Sequence, residues 1–265
     1  MKKVIYPETW SLIVASNSDD VLRNNLLGSD EVNTAKEILI ERDEASAAYA
    51  YNSGIDKTTG NIMVFAHQDV FLPPEWSKKM LLAVAELTAY DPNWGAAGLY
   101  GITETGEGAG FVYSTGLMRF VGEAFHAPIR VRSIDEMVII MRRSSGLKFD
   151  ENLPGFHLYG TDICMEAESL GMQNYVLPCF ALHNSVGIMY LPWSFWKAYF
   201  FLRNKWKMRL PIITPCTTIT YGSMPILRHF AEVLLAAVRK KKKLGSRVND
   251  PSRFYGDSIG PALNS

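Results

Sequence analysis

Asn61-Ile62-Met63-Val64-Phe65-Ala66-His67-Gln68-Asp69-Val70 is the stretch on which the reading of this chain turns. Asn61 to Ala66 is an almost wholly apolar run of strand length, which predicts a strand covered on both faces. It stops abruptly at a histidine, an amide and a carboxylate. Upstream, Ser11 to Ala15 repeats the pattern and ends in Ser16-Asn17-Ser18-Asp19-Asp20, a loop rich in helix-capping residues. A helix follows over about Val21 to Leu27, then a second strand over Glu37 to Glu41, and a second helix over Ala45 to Gly54. Downstream, Pro73-Pro74-Glu75 opens a helix through about Thr88, with proline in its favoured first turn. Strands alternating with helices imply parallel strands joined by right-handed crossovers, an α/β sheet covered by helices. Ligands of such sheets bind at the carboxyl ends of the strands. Those ends carry Ser16 and Asn17, then Glu41 to Asp43, then His67 to Asp69.

Composition agrees with a folded protein and excludes disordered or disulfide-stapled classes: 265 residues, 48% hydrophobic and 20% charged. The net charge of zero hides a division. Residues 1–194 carry 14 basic and 24 acidic side chains, whereas residues 195–265 carry 13 basic and 3 acidic. Cys164, Cys179 and Cys216 have no CxxC spacing and point to a reducing, cytoplasmic setting. Pro7-Glu8-Thr9 interrupts what a secretory signal would need as its apolar core. Val186 to Leu202, the nearest approach to a membrane span, is broken by Pro192 and Lys197.

The segment from Gly95 to Gly122 holds eight glycines among aromatic and β-branched residues, which suggests short irregular strands and loops. No Lys-Ser/Thr follows Gly106 and Gly108, so a phosphate-binding loop is not indicated. Asp135-Glu136 leads into a strand from Met137 to Met141. A polar-aromatic loop containing Phe156, His157 and Tyr159 feeds a helix from about Asp162. Tyr175-Val176-Leu177 is a further strand, followed by Leu182-His183-Asn184-Ser185.

These pieces together resemble a known family. Ala47-x-x-Ala50-Tyr51-Asn52-x-Gly54, then Gly60-Asn61-Ile62-x-Val64-Phe65-x-His67-Gln68-Asp69-Val70, is similar to the front half of nucleotide-sugar glycosyltransferases of the GT-A fold. More narrowly, it resembles the bacterial family 2-like group in which His-Gln-Asp stands where many relatives have the Asp-x-Asp metal motif. Asp135-Glu136, Phe149-Asp150, Gly155-Phe156-His157-x-Tyr159-Gly160-x-Asp162-Ile163-Cys164 and His183-Asn184-Ser185 continue the likeness to about residue 207. The resemblance implies a mixed α/β sheet flanked by helices, and transfer of a sugar from a nucleotide-diphosphate donor, most simply a UDP-sugar. The acceptor it implies is a polysaccharide or lipid-linked glycan.

Roles follow from the same resemblance. Asp69 is the principal ligand of Mn²⁺ or Mg²⁺ and His183 completes the metal site, while His67 departs from the two-carboxylate pattern. Asp162 is the general base of an inverting reaction, or else a helix N-cap. Ser16, Asn17, Glu41, Asp43, Asn52 and Asp69 hold the nucleotide. Asp43 and Glu41 are alternatives whose choice depends on where the second strand ends, and Asn52 braces the pocket or caps its helix. Asp135, Glu136 and His157 face the acceptor, or are strand-end charges and a loop histidine.

The chain divides into a catalytic domain over 1–190, a helical basic and aromatic appendage over 191–246, and a flexible tail over 247–265. Trp193, Phe195, Trp196, Tyr199, Phe200, Phe201 and Trp206 are interleaved with Lys197, Arg203, Lys205, Lys207 and Arg209. A helix from Pro225 ends in the run Arg239 to Lys243. Residues 193–243 therefore offer packing against the core or an anionic membrane surface, which would make the protein peripheral on the inner face of the cell membrane. Nucleic acid is not expected, because the main domain is acidic. A catalytically inactive domain that binds nucleotide sugar or tethers an assembly to the membrane is the competing reading.

Overall fold

The computed structural model describes residues 9–188, 190–238 and 244–263. The first half alternates as its sequence pattern predicts: β1 (Trp10–Ser16), α1 (Asp19–Asn24), β2 (Glu37–Arg42), α2 (Ala47–Lys57), β3 (Ile62–His67), the short β4 (Val70–Phe71) and α3 (Trp76–Tyr90). Ser18 and Ser46 open α1 and α2 by accepting hydrogen bonds from the Val21 and Tyr49 amides. Gly54 does not end α2, which runs on to Lys57; it lies where any side chain would collide with Ile13 of β1. Its lack of a Cβ is what lets α2 lie close against the sheet.

The glycine-rich stretch is more regular than its composition suggests. It forms β5 (Trp94–Gly98), β6 (Tyr100–Ile102), β7 (Gly108–Ser114) and β8 (Arg119–Gly122), followed by β9 (Ile129–Val131), β10 (Ser133–Ile134) and β11 (Val138–Arg142). After these come α4 (Tyr159–Ser169), β12 (Gln173–Val176) and β13 (Leu182–His183). Among the described residues the main sheet has seven strands in the order β2-β1-β3-β11-β5-β12-β9. β1 pairs in parallel with β2 and β3, whereas β11 runs antiparallel between β3 and β5. The sheet is therefore mixed, not parallel throughout. A second sheet has the strand order β10-β6-β7-β13-β4, with β8 paired to β7.

Apolar side chains fill both faces of the main sheet. Ile13, Met63, Phe65, Ile139 and Met141 point to the layer that holds α2 and α4, and Leu12, Val14, Val64, Val138 and Ile140 to the layer that holds α3. The alternation along each strand is the period-two pattern of a sheet buried on two sides.

Helix α5 (Trp193–Lys205) packs on the layer that holds α2 and α4. Phe195, Trp196, Tyr199 and Leu202 are buried in the same cluster as Ile13 and Met63. Beyond it lie the hairpin β14 (Ile212–Ile213) and β15 (Thr218–Ile219), then α6 (Met224–Val238). The basic run Arg239 to Lys243 falls outside the described residues. The segment from Arg247, expected to be a flexible tail, is instead docked through 263. It contains α7 (Pro251–Phe254), capped by Asp250, and buries Ile259 against Phe71 and Leu182. Phe254, Tyr255 and Leu263 join Ile259 in packing against Tyr113 and Phe120 of the second sheet.

Candidate active site

The carboxyl end of β3 delivers His67, and the turn into β4 delivers Asp69. β13 runs antiparallel to β4, with His183 opposite Val70, and the Asn184 amide donates to the Asp69 carbonyl oxygen at 2.8 Å. This pairing sets His183 beside Asp69, with Nε2 and Oδ1 3.3 Å apart. One donor atom from each of His67, Asp69 and His183 lies within 4.8 Å of the other two. His67, which departs from the two-carboxylate pattern, is therefore part of the cluster. Tyr159 Oη fixes its ring through a 2.7 Å hydrogen bond to Nε2.

The electrostatics are those of a carboxylate held among cations. Burial alone would raise the Asp69 pKa, but the His183 hydrogen bond and charge outweigh it and hold the carboxyl well below its usual range. Burial likewise opposes protonation of His183, yet the hydrogen bond and charge of Asp69 raise its pKa. For His67 burial prevails and the pKa is lowered. Two imidazoles and one carboxylate form a donor set suited to a divalent transition ion with positions left open. The residues fit the metal that the sequence resemblance implies, with His67, Asp69 and His183 as its holders.

A cavity of about 460 Å³ adjoins this cluster. Ser16, Asn17, Asp43, Tyr51, His67 and Asp69 are among its lining residues. Gln68, between His67 and Asp69 in the chain, does separate work: its Oε1 accepts from Ser16 Oγ and the amides of Asn17 and Ser18, and its Nε2 donates to Asn17 Oδ1. One strand end thus braces the next. The end of β2 places Glu41 and Asp43 differently. Glu41 still belongs to the strand and binds Ser53 Oγ and Lys57 Nζ at 2.7 and 2.8 Å, away from the cavity. Asp43, just beyond the strand with φ of 55°, borders the cavity. Asn52 does not line it. Its amide holds the Phe149 main chain on both sides, and Phe149 packs against Tyr51 and Tyr159 under the site.

Asp162 is not presented to the cavity. It lies in the first turn of α4, not at its cap, and is 2% exposed. Lys205 Nζ and Trp206 Nε1 occupy its two oxygens at 2.8 and 2.7 Å. With both oxygens engaged, Asp162 would have to exchange one of these partners to meet an acceptor hydroxyl. Glu136 lies on the other side of the start of α4. Its carboxyl receives hydrogen bonds from the Leu158 and Gly160 amides at the start of α4, while its main-chain oxygen accepts from Tyr159 Oη at 3.3 Å. Burial, then the neighbouring Asp135, push its pKa up to about 8. Asp135 is oriented by the Met137 amide, and its charge acts on both His67 and His183. His157 bonds Ser194 Oγ at 3.1 Å and packs edge-on to Phe195, with the cavity-lining Phe156 next to it in the chain.

Residues 11–196 match the model of a glycosyltransferase-like family. The chain belongs to that family. Its fold is GT-A: it aligns over 97% of its length with the crystal structure of GalNAc-T7 with UDP, GalNAc and Mn²⁺, at a TM-score of 0.51 and 12% identity, covering 57% of that chain. It aligns equally far with the mannosyltransferase PcManGT from Pyrobaculum calidifontis, in complex with GDP-Man and Mn²⁺, at a TM-score of 0.50 and 14% identity, covering 80% of that chain. A curated relative, "ATP synthase subunits region ORF 6" of Fuscovulum blasticum, is 30% identical over 139 residues. The match takes in 49% of this chain and 53% of that relative, so the chain spans about half the length of the relative it matches. Family and fold thus agree.

Proposed function

We propose that this glycosyltransferase moves a sugar, with inversion, from a nucleotide-diphosphate donor, most simply a UDP-sugar, to a glycan or lipid-linked acceptor. The observation that carries the proposal is the His67–Asp69–His183 cluster bordering a cavity whose other walls are the ends of β1 and β2. Ser16, Asn17 and Asp43 supply hydrogen-bonding groups for a base and ribose. His67, Asp69 and His183 hold Mn²⁺ or Mg²⁺, and the imidazoles favour Mn²⁺. The bound ion would neutralise charge on the departing diphosphate. Glu136 takes the proton of the acceptor hydroxyl as its oxygen forms a bond to the anomeric carbon. The bond from that carbon to the diphosphate oxygen breaks, and the diphosphate leaves with the electron pair. Asp135 and His157 orient the acceptor, and Tyr159 couples the Glu136 main chain to the His67 ring.

Wild-type protein should melt later with UDP plus Mn²⁺ than with either alone, by the equivalent of about 2.7 kcal/mol at a hundredfold excess over Kd. Asp69→Ala should lose that gain. A shift that persists in Asp69→Ala, or that ignores the metal, would place the site elsewhere.

The acceptor side suggests a membrane partner. Among the described residues no helix is long and apolar enough to cross a bilayer. α6 nevertheless exposes Met224, Leu227 and Phe230 along one face and is followed in sequence by five cations. Such a face can lie in the headgroup region of an anionic bilayer. Vesicles containing phosphatidylglycerol should co-float with the protein and neutral vesicles should not. Replacing Lys240 to Lys243 by glutamine should abolish the difference; equal flotation with both lipids would refute the membrane reading.

A further inference from the structure

Arg247 reaches the metal-site carboxylate from a segment that is remote in sequence. Its Nη2 donates to Asp69 Oδ2 at 3.0 Å, and its Nε donates to the Asn184 carbonyl oxygen at 3.1 Å. The hold is built, not incidental. Asn184 is completely buried and binds the Val248 amide and carbonyl oxygen at 2.8 Å each, with a further bond to Asn25. Two residues earlier, the Gly245 amide donates to Gly116, and the Gly187 amide donates to Gly245. A side chain at 245 would overlap the Thr115 carbonyl oxygen, so only glycine lets the strap lie this close. Residues 245–248 thus form a seated strap whose projecting group is one guanidinium.

The other charges at this point explain what the guanidinium is for. Asp69 already has His183 on Oδ1, and a divalent ion held by His67, Asp69 and His183 would add two positive charges to one carboxylate. Asp69 then no longer needs Arg247. A guanidinium, always charged and with five N–H donors, pairs well with phosphate oxygens. Two of the Arg247 nitrogens are engaged, and the side chain keeps 37% of its surface exposed.

We propose that Arg247 is a diphosphate-binding residue, carried on the 245–248 strap, that rests on Asp69 until a metal–diphosphate complex arrives and then pairs with the diphosphate. This rests on the glycosyltransferase reading of the site and names a residue that reading does not include. Arg247 competes with the metal for Asp69 but assists the diphosphate, so its removal has opposite effects on the two ligands. Loss of folding would weaken both.

The test uses the whole chain, Mn²⁺ alone, and Mn²⁺ with inorganic pyrophosphate, which is independent of nucleotide base. Free Mn²⁺ measured by electron paramagnetic resonance should show that Arg247→Gln binds Mn²⁺ as well as wild type or more tightly. Calorimetry should show Mn²⁺–pyrophosphate binding at least 10-fold weaker in Arg247→Gln, with partial recovery in Arg247→Lys. Gly245→Ala, which leaves the guanidinium intact but unseats the strap, should show the same loss of pyrophosphate affinity. Unchanged pyrophosphate affinity in Arg247→Gln would overturn the proposal, as would weaker Mn²⁺ binding with no change for pyrophosphate, which would make Arg247 only a brace for Asp69. A wild-type chain that binds Mn²⁺ but ignores pyrophosphate would also overturn it. If wild type binds neither Mn²⁺ nor Mn²⁺–pyrophosphate, the metal-dependent reading of the site falls as well.

Discussion

Glu136→Gln should lower sugar transfer by about 10²- to 10⁴-fold, the usual contribution of a positioned general base, while leaving Mn²⁺-dependent UDP binding unchanged. The amide keeps the size and one acceptor oxygen of the carboxyl but cannot take the acceptor proton. Because burial and Asp135 push Glu136 up to about 8, it gains its basic form as pH rises through that range. Wild-type transfer should therefore climb with pH and level off. The variant's residual rate should lack the limb. The sign of the stability effect provides a check on folding. The folded pKa lies above the unfolded value of 4.5, so this group's favourable contribution is complete below about 4.5 and is lost as pH rises through about 8. Chemical denaturation at pH 9 should accordingly find Glu136→Gln no less stable than wild type. Full transfer by the variant would eliminate Glu136 as the base and shift attention to Asp135.

The parts of this site that sequence could supply were those set by local strand chemistry. Ser16, Asn17 and Asp69 sit at ends of apolar runs, and a strand must end where its apolar run meets polar residues. His183 was readable only through the family resemblance, since its partner strand lies far away in the chain. Asp43 and Glu41 could not be separated because the side-chain alternation of a strand makes a shift of one or two residues decisive, and β2 runs to Arg42. The surroundings of Asp162 were hidden for a related reason. The helix begins at Tyr159, three residues earlier than its expected start, which turns Asp162 toward α5 and leaves Glu136 at the helix start. Arg247 carried no signal: it stands 178 residues from Asp69 in a stretch whose composition reads as loose chain. Its role comes from Asn184 and Gly245, whose buried hydrogen bonds and close backbone contacts no periodicity reports.

The enclosure of Asp162 leads to the other large expected effect. Lys205→Met should destabilise the protein by about 3–5 kcal/mol at neutral pH, the usual cost of leaving buried charge unpaired. Lys205 Nζ lies 2.7 Å from Asp150, 2.8 Å from Asp162 and 2.8 Å from Glu166, and its side chain is only 18% exposed. These three carboxylates gather their oxygens within 4.8 Å of one another. Removing the ammonium therefore leaves three mutually repelling acids, one of them almost without solvent. They join the Phe149–Glu151 loop and α4 to the last turn of α5, so the loss loosens the aromatic helix from the core. Acidification should narrow the deficit, because protonating the carboxylates relieves their repulsion in the variant. Across that range wild-type Lys205, whose pKa is raised by its partners despite burial, stays charged. Denaturant unfolding at pH 7 and pH 5 measures both quantities. Asp162→Asn in the Lys205→Met background should recover part of the loss, giving a coupling energy in a double-mutant cycle. Asp162→Asn alone should retain transfer per folded molecule. Near-complete loss of transfer with stability unchanged would instead return Asp162 to the chemistry.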